Sequence, residues 1–401
     1  MATVELARSF TRSAKALELD GRILSMIGVL LVIWLFFDVA TGGLFLSSRN
    51  LWNLSVQTSV VALIATGMVF VIVSRNIDLS VGSLLAFLGI LGAYLQTEVL
   101  PLEGTNTWWL AILLMVAAGA VLGGFQGWVI ARFSIPSFVV TLGGLMFWRG
   151  AGWLFTSGRT ITPLDTTFNI FGGGSIGETY SWIVGIIGFM VLVLITAWKR
   201  GRRQKLGFKT KPLSLELLLV LAWGCAIALF VHVMNAYKFP SSQEGRGIPV
   251  PVLTVIVIAC VMIYVASMTK LGRYIYGYGG NPEAARLSGI NTRKVVIVTF
   301  AIIGALTGIG AVISTARLNA APLSIGNLLE LQIIAAVVIG GTSLAGGTGT
   351  IVGALIGAVL MQSLLNGMVL LGVDSSPQQM IMAGVLIVSV WFDVTFQQRR
   401  R

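Results

Sequence analysis

The sequence predicts an all-α fold, a polytopic transmembrane helical bundle of about 10–12 spans, and three observations carry that expectation. Hydrophobic residues fill 56% of the 401 positions and charged residues only 10%, against roughly 25% charged in an ordinary soluble domain. The apolar content comes in blocks of about 17–25 residues, the length that crosses a hydrocarbon core roughly 30 Å thick. There are also 48 glycines, small residues that let membrane helices approach closely.

Read along the chain, the apolar blocks place spans at 22–46, 51–73, 79–97, 108–130, 137–157, 182–198, 214–235, 250–268, 294–315, 328–342, 348–371 and 376–394. The first is longer than a signal-peptide core and lacks a clear cleavage site, so it reads as a retained span. The tenth is short and borders Gly340, Gly341, Gly346, Gly347 and Gly349. It suggests a half-helix and re-entrant turn, because non-helical backbone at membrane depth persists only where protein buries it or a cavity borders it. Twelve crossings put both termini on one side. With that side cytoplasmic, inward segments hold 21 Lys and Arg and outward loops hold five, Arg49, Arg159, Lys238, Arg246 and Arg317. That bias sets the orientation by the positive-inside rule, which also accounts for a net charge of +12. One membrane domain, 22–394, is flanked by cytoplasmic tails at 1–21 and 395–401, with cytoplasmic loops at 199–212, strongly basic, and at 268–294. The loop 199–212 and its flanking spans look like an insertion. Two stretches, VIVSRNIDLSVGS from Val71 and VIGGTSLAGGTGT from Val338, share the order apolar helix, small-polar break, glycine-rich helix, which suggests an internal repeat.

Enzyme chemistry finds little support. His232 is the only histidine and reads as a capping or packing group. There is no Cys/His cluster, no HExxH and no GxSxG followed by triad partners, so no catalytic residue and no metal centre are expected. Cys225 and Cys260 read as packing residues. The dipeptide Gly-Lys never occurs, so there is no GxxxxGKS/T phosphate loop, and any ATP must be hydrolysed by another chain. Asp38, Glu216, Glu330 and Asp393 fall near span ends and read as interfacial anchors, while Arg149, inside a span, reads as paired or snorkelling. Neutral polar residues within spans (Asn53, Gln57, Thr66, Gln126, Thr141, Gln332, Gln362 and Asn366) suit either a path for an uncharged, hydroxyl-rich solute or hydrogen bonding between helices.

The loop GGNPEAARLSGINTRK, Gly279–Lys294, is the most informative. Asn281 suits a helix N-cap, Pro282 its first position and Glu283 its positive end. Gly289 stands where a left-handed C-terminal cap belongs. The result is a helix over Pro282–Ser288, too short to be stable alone, with apolar Ala284, Ala285 and Leu287 beside charged Glu283 and Arg286. It reads as a plug for a partner's groove or as a capped surface turn.

With this loop the chain resembles the membrane permease subunits of bacterial monosaccharide ATP-binding-cassette importers, in the branched-chain and ribose-type permease family. The landmarks are GMVFVIVSRNIDLSVGS (Gly67–Ser83), PSFVVTLGG (Pro136–Gly144), GGNPEAARLSGIN (Gly279–Asn291), VIGGTSLAGGTG (Val338–Gly349) and VWFD (Val390–Asp393). Size and the basic segment 199–212 place it nearest the D-xylose branch. The resemblance implies a type II importer-like permease in the bacterial inner membrane, working as a homodimer with a cytoplasmic ATPase subunit and a periplasmic sugar-binding protein. It implies no cofactor in this chain, ATP and Mg being held by the partner ATPase. The segment matching the family's coupling region is Asn281, Pro282, Glu283, Ala284, Ala285, Arg286, Leu287, Ser288 and Gly289. Arg75-Asn76, before Ile77-Asp78, departs from the smaller or acidic residues expected of relatives.

Membrane transporters bend where helices break. Asp78, Ser80 and Gly82, and Gly340, Gly341, Thr342, Ser343, Gly346 and Gly347, are therefore candidate path or hinge residues. For Asp78 the alternative is a carboxylate that caps the helix starting near Ser80. Other monosaccharides, an ion-coupled sugar carrier, and a passive channel or scaffold are the competing functions.

Overall fold

The computed structural model describes residues 21–99, 107–208, 210, 212–239 and 243–398. Of the predicted tails at 1–21 and 395–401, residues 1–20 and 399–401 lie outside the described residues, and 395–398 are helical rather than tail. The helices run α1 (Gly21–Ala40), α2 (Ser48–Val73), α3 (Val81–Tyr94, prolonged by a π turn over Leu95–Val99), α4 (Trp108–Phe133), α5 (Ser137–Thr156) and the single turn α6 (Ile170–Gly173). They continue as α7 (Glu178–Lys205), α8 (Leu213–Ala236), α9 (Val250–Met268), α10 (Lys270–Gly280), α11 (Pro282–Leu287), α12 (Thr292–Leu318), α13 (Leu329–Ile339), α14 (Ile351–Leu370) and α15 (Ser375–Gln398). Among the described residues, ten of these are long and apolar enough to cross a membrane, so the chain is an all-α, multi-pass membrane protein. The tenth predicted span shortens to α13, only 11 residues long, a half-helix as its flanking glycines suggest. The twelfth, 376–394, falls on the 24-residue α15, which is not among those ten.

The core forms around α2, whose residues are buried from Thr58 through Val73. Its apolar side chains pack with α3, α12, α13 and α14. Outer helices such as α1 and α7 instead expose Leu35, Phe36, Leu194 and Trp198, which suits hydrocarbon solvent. Cys225 and Cys260 lie on that outer surface, free and exposed, rather than packed inside; a thiol is weakly polar and is tolerated against lipid. The basic segment is also corrected: α7 runs on to Lys205, so 199–205 is helix rather than loop.

The closest helix pair is α4 with α12. Gly119, Gly123 and Gly127 recur every four residues and form one face of α4. A Cβ on Gly119 would overlap the Gly304 carbonyl, and one on Gly123 the Phe300 carbonyl. Small-residue stripes of this kind drive helix association in lipid, where apolar side chains gain nothing by leaving one another.

Contacts across α12 also set the depth of α3. Leu85 lies beside Gly310 and Gly89 beside Thr315, so α3 and α12 run parallel in register. Extending that register back to Val81 sets the first turn of α3 beside the midpoint of the 27-residue α12. The non-helical stretch 74–80 thus runs from the end of α2 into the middle of the bundle.

The seam makes a direct prediction. Gly123→Val should lower thermal stability in detergent by at least about 2 kcal/mol through overpacking. Gly143→Val, at a glycine facing open space, should change it by less than about 0.5 kcal/mol.

Candidate functional site: a joint beneath a capped helix

Asn281 leaves the helical region at φ −146° and its side chain accepts from the amides of Glu283 at 3.1 Å and Ala284 at 3.0 Å. That satisfies donors that α11 cannot satisfy internally. Pro282 opens the helix. Ser288, placed inside the predicted helix, is its C-terminal cap, and Gly289 at φ +80° lets Ile290 N donate back to Ala285 O at 3.1 Å. Ala285 is buried, while Glu283, Ala284 and Arg286 are exposed and Leu287 is 80% exposed. A large apolar side chain on a tethered helix of six residues offers a knob to a partner surface.

The residues just before α11 fix where it stands. Arg75 occupies a left-handed conformation, φ +60°, rare for a side chain without glycine's freedom. That turn aims its guanidinium at the end of α10, where Nε donates to Gly279 O at 2.6 Å and a terminal nitrogen to Gly280 O at 2.8 Å. Those carbonyls are the orphan acceptors of a helix C-terminus. The neighbouring carbonyl of Val73 accepts from Gly347 N at 2.9 Å, and Tyr276 donates to Gly349 O at 2.9 Å. A Cβ on Gly279 would overlap the Val73 carbonyl, and one on Gly346 the Arg75 side chain. The end of α2, the end of α10 and the glycine loop between α13 and α14 therefore meet in one joint directly beneath α11. Burial pushes the Tyr278 phenol above its ordinary range, with Arg75 pulling partly against it. The unusual Arg75, which sequence reasoning noted only as a departure, is the clasp of this joint; its signal was a long cation at a helix end.

The predicted hinge residues fall into two groups. Gly340, Gly341, Thr342 and Ser343 continue α13 into the glycine loop: Gly340, Gly341 and Thr342 amides donate back to Ala336, Val338 and Val337 carbonyls at 2.8, 2.8 and 3.1 Å, and Ser343 N donates to Thr348 O at 3.0 Å. With Gly346 and Gly347 they belong to the joint. Asp78, Ser80 and Gly82 lie deeper. Asp78 is 1% exposed, and its Oδ1 accepts from Ser80 N at 2.8 Å and Ser80 Oγ at 2.7 Å, a turn that holds the N-cap residue of α3 rather than capping the first helical amides. Ser80 Oγ also lies 3.1 Å from Gln126 Oε1. Gly82 packs against Glu330, whose Oε2 is buried without a hydrogen-bond partner. Glu330, expected at an interface, is instead 6% exposed in the first turn of α13, because α13 begins inside the bundle. Arg149 donates to the carbonyls of Leu323 and Ile325 at 2.5 and 3.2 Å, holding the turn before α13.

Several of the other neutral polar residues tie separate segments together. Asn50 donates to Asn366 at 2.9 Å, Gln362 to Gln57 at 3.2 Å, and Thr141 to Ile77 O at 3.2 Å. For Gln57, Gln362 and Asn366, hydrogen bonding between helices is the use the fold makes of them.

A bundle of membrane-crossing helices interrupted by glycine-rich breaks and carrying a capped external helix has the form of a permease. The model of the family described as branched-chain amino acid transport system, permease component, matches residues 50–390, and the chain belongs to that family. It is 37% identical to the xylose transport system permease protein of Haemophilus influenzae over 96% of this chain and 99% of that one. The protein of the same name in Escherichia coli is 38% identical over 95% and 94%. The Escherichia coli ribose import permease protein is 33% identical over 92% of each. No solved structure matches the chain.

Removing the cap tests the local geometry. Asn281→Ala should destabilise α11 by about 1 kcal/mol, read as roughly fivefold faster hydrogen exchange at the Glu283 and Ala284 amides.

Proposed function

We propose that this chain is the membrane-spanning permease subunit of an ATP-binding-cassette importer that moves a monosaccharide, D-xylose foremost, across the bacterial inner membrane. The observation that carries this reading is the joint beneath α11: an exposed helix tied through Arg75 to the break after α2 and through Gly347 to the break after α13. The similarity to xylose permeases supports the choice of sugar; the ribose relative keeps ribose as the second candidate.

In this reading both termini are cytoplasmic, two copies form the permease, and a periplasmic binding protein delivers the sugar. A cytoplasmic ATPase subunit binds ATP and Mg and grips Asn281–Gly289. Its closure displaces α11, and the Arg75 clasp and Gly346–Gly347 contact pass the displacement to α2, α13 and α14. The deeper breaks around Asp78–Gly82 and Glu330 then rearrange to open a path along the interface between the two copies. This chain hydrolyses nothing; it converts motion of a partner into access across the membrane.

Reconstitution with the co-encoded ATPase and binding protein tests the reading. Uptake of D-xylose should require ATP and all three proteins; uptake by this chain alone, lost when an ion gradient collapses, would sink the proposal. Leu287→Asp should weaken retention of the ATPase subunit about tenfold or more, as for a buried interface anchor. Glu283→Ala and Arg286→Ala should leave expression normal and uncouple hydrolysis from uptake. Arg75→Ala should retain the ATPase but lower sugar moved per ATP, with Arg75→Lys recovering part of it, since lysine supplies a charge without the guanidinium fork.

A further inference from the structure

The basic end of α7 is not used by this mechanism, and its arrangement carries a second binding function. A helix of 28 residues spans about 42 Å at 1.5 Å per residue, whereas a hydrocarbon core needs roughly 30 Å. About two turns therefore extend past the core, and the last turns of α7 hold Lys199, Arg200, Arg202, Arg203 and Lys205.

One face of α7 reads continuously from apolar to cationic. Ile187, Val191, Leu194, Trp198, Arg202 and Lys205 recur at steps of three and four, so they stack along one side. Ile187, Val191 and Leu194 are exposed, Trp198 is 61% exposed, and Arg202 and Lys205 are exposed beyond them. The Arg202 guanidinium lies 5.3 Å from the centre of the Trp198 ring, which confirms the shared face. Acyl-chain contacts, an indole at the interface and cations at headgroup height follow in that order. Lys199 and Arg203 flank the column and are exposed. Arg200 turns to the neighbouring helix and pairs with Glu216 at 2.5 Å. Exposed Leu206 and Phe208 follow the helix end.

We infer that the end of α7 is a binding site for anionic phospholipid headgroups, formed by Lys199, Arg202, Arg203 and Lys205 with Trp198 as its interfacial floor. Guanidinium groups bind phosphate through paired donors, and clustered cations beside a membrane helix select anionic over zwitterionic lipid. A role in orientation alone needs the positive charges but no lipid preference, which separates the two readings.

The test uses the full-length chain in nanodiscs of equal phosphatidylglycerol and phosphatidylcholine, with bound lipid counted by native mass spectrometry after mild detergent release. Wild-type protein should retain phosphatidylglycerol over phosphatidylcholine by about tenfold or more, given the expected attraction per basic residue. The variant Lys199→Gln/Arg202→Gln/Arg203→Gln/Lys205→Gln should fall to about parity. A variant exchanging each Lys for Arg and each Arg for Lys should keep most of the preference. Melting in pure phosphatidylcholine checks that the variants remain folded. Should the glutamine variant fail to insert, wild-type protein in 0.5 M salt should still lose its preference by screening. Parity in the wild-type protein, or an undiminished preference in a folded glutamine variant, would overturn the site.

Discussion

Val73 ends α2 with a carbonyl that no helical amide can reach, and in a membrane protein such a group must find a partner inside the chain. It finds Gly347 N, and the fold at this end follows from that pairing. The glycine loop must come close enough to donate, which fixes α13 and α14 against α2. Gly279 must lack a side chain, since any Cβ would meet the same carbonyl. The end of α10 then presents its own unbonded carbonyls at Gly279 and Gly280, which Arg75 satisfies. One orphan acceptor thus draws three separate parts of the chain to the base of α11.

Glycine serves two different ends in this molecule. Along α4 and α12 it makes a long, direct contact between regular helices, with Gly119 and Gly123 against Gly304 and Phe300. Both are regular helices through this contact. At 340–349 the glycines permit left-handed backbone, with φ +91° at Gly341, +84° at Gly346 and +79° at Gly347. There the chain folds back on bonds between loops rather than within helices. Packed helices beside a joint of this kind are what a transporter needs to move as bodies.

Helices α3 and α13 begin close together, with Gly82 and Gly326 in backbone contact and Glu330 over the first turn of α3. Helix N-termini carry partial positive charge, so this buried carboxylate has electrostatic support although its Oε2 lacks a hydrogen-bond partner. Some polar groups within the bundle pair across helices, as Asn50 does with Asn366 and Gln57 with Gln362.

The class, the span positions and the capped helix were legible in the sequence because each is local. Apolar block length is set by bilayer thickness, and Asn281, Pro282 and Gly289 each satisfy a need of their own backbone position. The glycine-broken tenth segment was legible for the same reason. Ser288 missed the helix by a single residue, since a C-cap differs from a last turn only in geometry. What the sequence did not reveal were facts about distance between remote segments. Glu330 reads as an interfacial residue until α13 is seen to begin at depth. Basic residues 199–205 read as loop because charge ends a hydropathy block, although it does not end a helix. The role of Arg75 required knowing that Gly279 and Gly280, two hundred positions away, end a helix within its reach. Local chemistry determined which pieces this protein has; only tertiary packing decided which orphan groups those pieces would satisfy, because a buried donor or acceptor takes whatever partner the fold brings near.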